Sequence, residues 1–353
     1  MDSAIATPGP ALAPWLQAQL GGLLGRRAHA LLLQGPSGLG QYSLALSLAQ
    51  AWLCEQPGEQ GACGQCASCH LVGARGHPDL AVLMPETTLL ELGWPLDEKS
   101  MDEIEAKKRK PSKEIRVEAM RQAILFSQRT ASRGRGLVVL IYPAEDMNAV
   151  AANALLKTLE EPPGDTRFVL ASEAAHQLLP TIRSRCQTHA MAWPAADAAL
   201  KWLQSQASSV PGLANPSVAQ SVLRLAGGRP DDALALAGNG PDAAQWARLP
   251  KAVAEGDATA LAGFEPLQAV QVLQKLCHDL WAVRVQAEPR FFAAINLPAP
   301  PGPRALARWT QALAASARTA EHPFKADLML EDLVSQARQV FRSSPAAAKA
   351  RPA

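Results

Sequence analysis

The chain has 353 residues, of which 48% are hydrophobic and 19% charged, with 34 basic side chains against 32 acidic ones. That balance excludes a disordered chain and a strongly basic nucleic-acid coat, and the length suggests two or three domains of roughly 150 residues each. No apolar run approaches the ~18 to 20 residues that span a bilayer, and Asp2 stands near the start with no Lys or Arg among the first twenty residues, so a cytoplasmic protein with no membrane attachment is expected.

The first expected element is a strand over Ala30-Leu31-Leu32-Leu33, followed by Gln34-Gly35-Pro36-Ser37-Gly38-Leu39-Gly40 and then helical spacing from Ser43 to Trp52. A strand, glycine-rich loop and helix in this order suit phosphate binding. The glycines let backbone N–H groups close around the phosphates, a Lys reaches the β and γ groups, and a Ser or Thr holds Mg²⁺. Gly35 and Gly40 have the required separation, with Gly38 between them, but Gln41 occupies the lysine position and Tyr42 the hydroxyl position. A neutral amide does not offset phosphate charge, and a phenol ring is too large to hold a metal at that turn. The loop is expected to keep its shape without its chemistry, and no bound ATP is expected.

Four of the six cysteines follow, Cys54, Cys63, Cys66 and Cys69, in the pattern C-x8-C-x2-C-x2-C. In a reducing compartment such a cluster argues for a metal rather than disulfides, and four thiolates supply a closed tetrahedral site for structural Zn²⁺. An iron–sulfur cluster fits the spacing less well, because Cys69 is followed by His70 and not by Pro. A metal-free module is the remaining alternative. His70 and His77 are further candidate ligands, although His77-Pro78-Asp79 also reads as a loop before the next strand.

That strand is expected over Leu80 to Met84, and an insertion runs from about Pro85 to Lys113. The insertion carries Asp97, Glu98, Asp102, Glu103 and Glu105, then Lys107-Lys108-Arg109-Lys110, a basic tetrad that reads either as a phosphate contact or as a solvated loop neutralised by its acidic neighbours. A strand over Leu137 to Tyr142 comes next. An ATPase needs an acidic pair at such a strand end, and here Tyr142 and Pro143 stand there, with Glu145 and Asp146 only further on. A helix opening at Asn148 places Val150, Ala154, Leu155 and Leu159 on one face and closes at Pro162-Pro163, and another strand covers Phe168 to Ala171. Strands alternating with helices predict a mostly parallel sheet covered on both faces, over roughly residues 20 to 192. Near its end, Arg183 and Arg185 in Leu179-Pro180-Thr181-Ile182-Arg183-Ser184-Arg185-Cys186 are expected at the start of a strand, as surface charges or as partners for a phosphate.

After Pro194 the chain becomes rich in Ala, Leu and Gln, and all helix is expected. Leu267, Val270, Leu273, Cys277 and Leu280 share one helical face, and Leu330, Leu333, Val334, Ala337 and Phe341 another, a stripe that reads as internal core or as an interface. The breaks suggest a domain over 1–192 holding the cysteine module at about 54–69, a small helical domain over 193–245, a helical bundle over 246–342 and a flexible tail over 343–353. Aromatic residues make up only 5%, which gives no base-stacking platform.

Asn153-Ala154-Leu155-Leu156-Lys157-Thr158-Leu159-Glu160-Glu161-Pro162-Pro163, followed by Ser184-Arg185-Cys186, resembles the signature of clamp-loader subunits of the AAA+ class. The resemblance covers the whole chain, strongest from about 30 to 190. It implies an AAA+ type α/β domain with a zinc-module insertion, then a small helical lid and an all-α collar. It also implies a component of a DNA polymerase III holoenzyme that is not an enzyme by itself. In such loaders the Ser-Arg-Cys arginine enters the ATP site of the adjacent motor subunit, which would make Arg185 an arginine finger in trans. The implied partners are the delta and gamma/tau subunits, with the sliding clamp and primed DNA reached through the complex. Ser172 falls at the polar sensor position. Asp231, in Gly227-Gly228-Arg229-Pro230-Asp231-Asp232, stands where motor subunits carry arginine, which favours a non-motor subunit. Two other readings compete with it: an ATPase motor with an unusual loop, and a zinc-dependent DNA-binding module using Lys107 to Lys110.

Overall fold

Strands buried on both faces read as unbroken apolar runs, and the computed structural model places its central strands at those runs. It describes residues 12–26, 28–239, 243–320 and 325–342; the tail expected over 343–353 lies outside them. The chain divides into two compact units at Trp193 and Pro194.

The first unit runs α1 (Pro14–Leu24), β1 (Ala30–Gln34), α2 (Gln41–Leu53), α3 (Ala67–Gly73), β2 (Leu80–Leu83), α4 (Glu86–Glu91), α5 (Glu98–Glu105), α6 (Val117–Ser127), β3 (Leu137–Ile141), α7 (Ala149–Glu160), β4 (Thr166–Ser172), α8 (Pro180–Arg183) and β5 (Gln187–Ala190). The five strands form one sheet in the order β2-β3-β4-β1-β5, with every neighbouring pair parallel. Alternation along the strands sorts the core. Leu32, Val139, Ile141 and Leu170 join Met120 and Ala123 of α6 and Ala151, Leu155 and Leu159 of α7 in one apolar cluster. Their neighbours Leu31, Leu33, Val138, Leu140, Val169 and Ala171 are equally buried on the opposite face, the side of the sheet to which alternation directs them. Helix α7 starts where Asn148 accepts a hydrogen bond from the Ala151 N–H at 2.9 Å, an N-cap.

The second unit is helical throughout its described residues: α9 (Ala196–Ser205), α10 (Pro216–Leu225), α11 (Pro230–Asn239), α12 (Ala243–Glu255), α13 (Pro266–Arg284), α14 (Pro303–Thr319) and α15 (Ala326–Arg342), with short 3-10 turns between them. A single apolar cluster extends from Ala199 to Ala337 and includes Val270, Leu273, Cys277, Leu280, Leu330, Leu333 and Val334. Phe341 packs against it, edge-on to Trp309. The stripes read from the sequence therefore face this core, except for Leu267, which is half-buried outside the cluster. Helix α12 crosses position 245, so the break expected there falls inside an element.

Arg183 and Arg185 precede the last strand instead of opening it. Arg183 ends α8, Arg185 lies in the following turn, and β5 begins at Gln187. Pro180 starts the helical turn, and the Ser184 N–H bonds back to its carbonyl.

Candidate functional site

In the loop after β1, Gly40 is held at φ 88°, and a Cβ there would meet Leu16 Cδ1 of α1 at 2.5 Å, so only glycine fits. Gln41 is 2% exposed. Its Nε2 donates to the Gly35 carbonyl at 3.0 Å and to the Pro36 carbonyl at 2.7 Å. The residue at the lysine position thus bonds the loop to itself.

The positions that would handle Mg²⁺ are joined in another way. Tyr42 and Tyr142 are the two tyrosines of the whole chain, and their rings face each other with centroids 5.4 Å apart and a 30° tilt. The Tyr42 hydroxyl accepts from Trp94 Nε1 at 2.7 Å, and the Tyr142 hydroxyl donates to Glu173 Oε1 at 2.8 Å. Burial pushes the Tyr42 hydroxyl pKa up. Trp94 belongs to the insertion, is itself buried, and lies under the Arg75 guanidinium at 5.8 Å, while Arg75 Nη1 donates to the Gly93 carbonyl at 3.1 Å. One consequence of the insertion is therefore contact with the first turn of α2, across 52 positions of sequence.

Glu145 does not turn toward the loop as a free carboxylate. Its Oε1 accepts from the Glu173 and Ala174 N–H groups at 2.8 and 2.9 Å. Asp146 has its carboxyl pushed up to about 6, by burial first and by the Glu145 and Glu114 charges after it. Ser172, at the expected sensor position, is fully buried at the end of β4, and its carbonyl accepts from the Gly35 N–H at 3.2 Å.

The cysteine module hangs from the end of α2. Cys54 is the C-cap of that helix and Cys66 the N-cap of α3, and the four sulfurs of Cys54, Cys63, Cys66 and Cys69 lie within 4.8 Å of one another. Sulfurs bound at ~2.3 Å around one tetrahedral ion stand ~3.8 Å apart. Cys54 to Cys66 is 3.8 Å and Cys63 to Cys69 is 3.9 Å, so the donor set fits one metal ion. Backbone N–H groups point at the sulfurs: Cys63 N to Cys54 Sγ at 3.3 Å, Cys66 N to Cys63 Sγ at 3.3 Å and Cys69 N to Cys66 Sγ at 3.4 Å. Burial works against a Cys66 thiolate, but the Glu55 and Cys69 N–H groups outweigh it and bring that thiol down to about 6. Burial raises Cys54 and Cys69.

His77 is not part of this set. Its Nδ1 accepts from the Asp79 N–H at 3.0 Å, which makes it a loop residue, and His70 is exposed on α3. Arg133 fastens the module to the sheet. Its side chain reaches Glu55 at 2.5 Å and Ser68 at 2.9 Å, while its N–H and that of Ser132 donate to the Asp79 carboxylate.

Arg109 of the basic tetrad is taken up inside the insertion, where Nη1 pairs with Glu86 at 2.5 Å and Nε with Glu103 at 2.8 Å. Lys107, Lys108 and Lys110 are exposed. In the helical unit Arg229 pairs with Asp232 at 2.8 Å, and Asp231 lies in the first turn of α11.

Arg185 is surfaced at another place. Its guanidinium pairs with Glu160 at the end of α7, and Nη1 donates to the Thr181 carbonyl at 2.9 Å. Because all strands are parallel, the loop after β1 lies at the C-terminal edge of the sheet and the turn before β5 at its N-terminal edge. The contact of His29 Nε2 with the Leu159 carbonyl, at 3.0 Å, fixes the end of α7 at that same N-terminal edge. A five-residue strand separates the two edges by about 15 Å. Arg185 is thus turned away from the loop of its own chain.

The parallel sheet, the glycine loop after its first strand and the helical unit beyond define a AAA+-like α/β protein. A family model described as "DNA polymerase III, delta subunit" matches residues 18–194, and the chain belongs to this family. It is 42% identical over 230 residues to the DNA polymerase III subunit delta' of Pseudomonas aeruginosa PAO1, covering 64% of this chain and 62% of that protein. It is 35% identical over 228 residues to the delta' subunit of Escherichia coli K12, covering 63% and 60%. Against the tau subunit of Escherichia coli K12 it is 34% identical over 163 residues, covering 46% and 21%. The match thus spans about three fifths of the length of these delta' relatives.

Proposed function

We propose that the chain works as a delta'-type subunit of a clamp loader, which does not hydrolyse ATP itself and supplies Arg185 to the ATP site of a neighbouring gamma/tau subunit. The observation that carries this reading is the division of labour across the sheet. At one edge the Gln41 amide and the Tyr42–Tyr142 pair replace the groups that handle phosphate and Mg²⁺. At the other edge a guanidinium stands at the surface with its back to that loop. A fixed positive charge entering a neighbour's site stabilises the charge that develops on the γ-phosphate during transfer, an effect worth roughly 10³ to 10⁵ in rate in GTPase systems.

In this reading the delta and gamma/tau subunits are the direct partners, and the assembly uses ATP to place a sliding clamp on primed DNA in the cytoplasm. The helical unit supplies a lid and a collar. Among the described residues, no helix is long and apolar enough to cross a membrane. The four cysteines hold one structural Zn²⁺, with no position open for water, and the ion's contribution is to tie the end of α2 to α3. The competing DNA-binding reading is weakened by Arg109, whose charge is spent on Glu86 and Glu103.

The test is DNA- and clamp-stimulated ATP hydrolysis by a loader reconstituted with delta and gamma/tau, comparing this chain with its Arg185→Ala variant at equal assembly. A loss of about tenfold or more, ~1.4 kcal/mol of barrier, is expected. Unchanged hydrolysis in an intact complex would leave the chain a scaffold only.

A further inference from the structure

Two stretches of sequence separated by 25 positions meet at Arg185. Nε and Nη2 of Arg185 both donate to Oε1 of Glu160, the Nε contact at 2.7 Å, and Nη1 donates to the Thr181 carbonyl at 2.9 Å. A guanidinium offers five N–H groups in a rigid plane. These contacts account for three of the five N–H groups, along the Nε–Nη2 side and at Nη1. Nη1 also lies 3.5 Å from Ser184 Oγ, at the limit of hydrogen bonding.

Each member of this contact is attached to the core by its neighbours. Leu159, next to Glu160, is fully buried in the cluster on the α6 and α7 side of the sheet, and so is Ile182. Cys186, next to Arg185, belongs to the same cluster, and burial pushes its thiol up to about 12, so it is inert packing. The Arg185 N–H bonds to the Ile182 carbonyl at 3.1 Å, which closes the turn. Carboxylate and guanidinium thus rise from two buried anchors, while their side chains keep 48% and 29% of their surface exposed. An exposed ion pair contributes little to folding, in general about 0 to 1 kcal/mol. What this one fixes is the direction of a long side chain that otherwise samples many rotamers.

We infer that Glu160 is the positioning residue of Arg185: it holds the partly exposed guanidinium in place at the surface, ready for the phosphate of a neighbouring subunit. This rests on the trans arginine reading given above. The ordering cost of the side chain is then met within the free subunit and not at the moment of assembly.

The experiment uses the reconstituted loader with Glu160→Ala, Glu160→Gln, Arg185→Ala and the double variant, recording kcat and KM for ATP at equal assembly. Glu160→Ala is expected to lower kcat by roughly threefold to tenfold with KM for ATP little changed, since a misdirected charge is lost mainly in the transition state. Glu160→Gln keeps an oxygen that accepts both N–H groups and is expected to restore most of the rate. The double variant is expected to be no slower than Arg185→Ala alone, because Glu160 acts through Arg185. If Arg185→Ala slows hydrolysis but Glu160→Ala does not, or accelerates it, the positioning role is wrong while the finger stands. Additive losses in the double variant would also overturn it. If Arg185→Ala itself leaves the rate unchanged, the finger reading fails first.

Discussion

The loop after β1 and the turn before β5 belong to neighbouring strands of one sheet, and they treat their polar groups in opposite ways. In the loop, polar side chains are satisfied within the chain: the Gln41 amide by two loop carbonyls, Tyr42 by Trp94, and Tyr142 by Glu173. In the turn, a guanidinium is held by Glu160 and the Thr181 carbonyl while 29% of its side chain stays exposed. A glycine-rich loop with its side chains satisfied internally still serves as architecture, because the glycines and the helix start connect strand to helix. In the reading proposed above, a group meant for another molecule stays partly exposed.

The largest effect that sharpens this contrast is on hydrolysis by the assembled loader. Arg185→Ala is expected to cost about tenfold or more there, yet to change the stability of the isolated chain by at most about 1 kcal/mol, as exposed pairs do. Calorimetry showing a large loss of stability would move Arg185 to the structural side of the comparison. Gln41→Ala should behave in reverse. It strips two carbonyls of their buried donor and is expected to lower stability by about 1 to 3 kcal/mol, read as a lower denaturation midpoint, while the assembled loader hydrolyses ATP at its ordinary rate.

A smaller effect concerns pH. The Asp146 carboxyl is raised to about 6 in the folded chain against an ordinary value near 4, so the folded state binds the proton more tightly than the unfolded one. Its contribution is fully present below about pH 4 and is lost as pH rises through about 6. Asp146→Asn should therefore gain stability relative to the parent chain between about pH 4 and 7, by no more than about 1 kcal/mol because the group is partly solvated. Melting curves whose difference does not change over that range would show that Asp146 is not held protonated. The smallest expected change is none at all: Gln41→Lys combined with Tyr42→Thr should give no ATPase in the isolated chain, since Tyr142 and Pro143 still supply no carboxylate. Appreciable turnover by that variant would break the account of the loop.

Much of this was legible in the sequence where one local rule decided the outcome. The buried strands β1, β3 and β4 are apolar on both faces, so runs such as Leu137-Val138-Val139-Leu140-Ile141 announce them. The edge strand β5 reads Gln-Thr-His-Ala and is mostly exposed, so no apolar pattern marks it, and Arg183 and Arg185 were expected to open a strand that begins only at Gln187. Helix α1 was missed because its apolar face is only Leu16, Leu20 and Leu23 within a stretch containing Gly21 and Gly22. The cysteine set followed from spacing alone, whereas excluding His77 required seeing Asp79 bond to it. Contacts between distant segments were beyond any local rule. Nothing in the insertion's composition ties Trp94 to Tyr42, and the pairing of Glu160 with Arg185 joins two motifs that were each recognised without their connection. The signal that could have suggested the latter was the pair itself: a carboxylate at the end of the helix before β4 and an arginine in the segment between β4 and β5.

The facing rings of Tyr42 and Tyr142 have a practical consequence. As these are the two tyrosines of the chain, fluorotyrosine incorporated biosynthetically would give two fluorine resonances, both from the ring pair beside the loop after β1 and none from elsewhere. Chemical-shift changes on mixing with partner subunits would then report whether assembly is felt at that site, with no substitution anywhere in the protein.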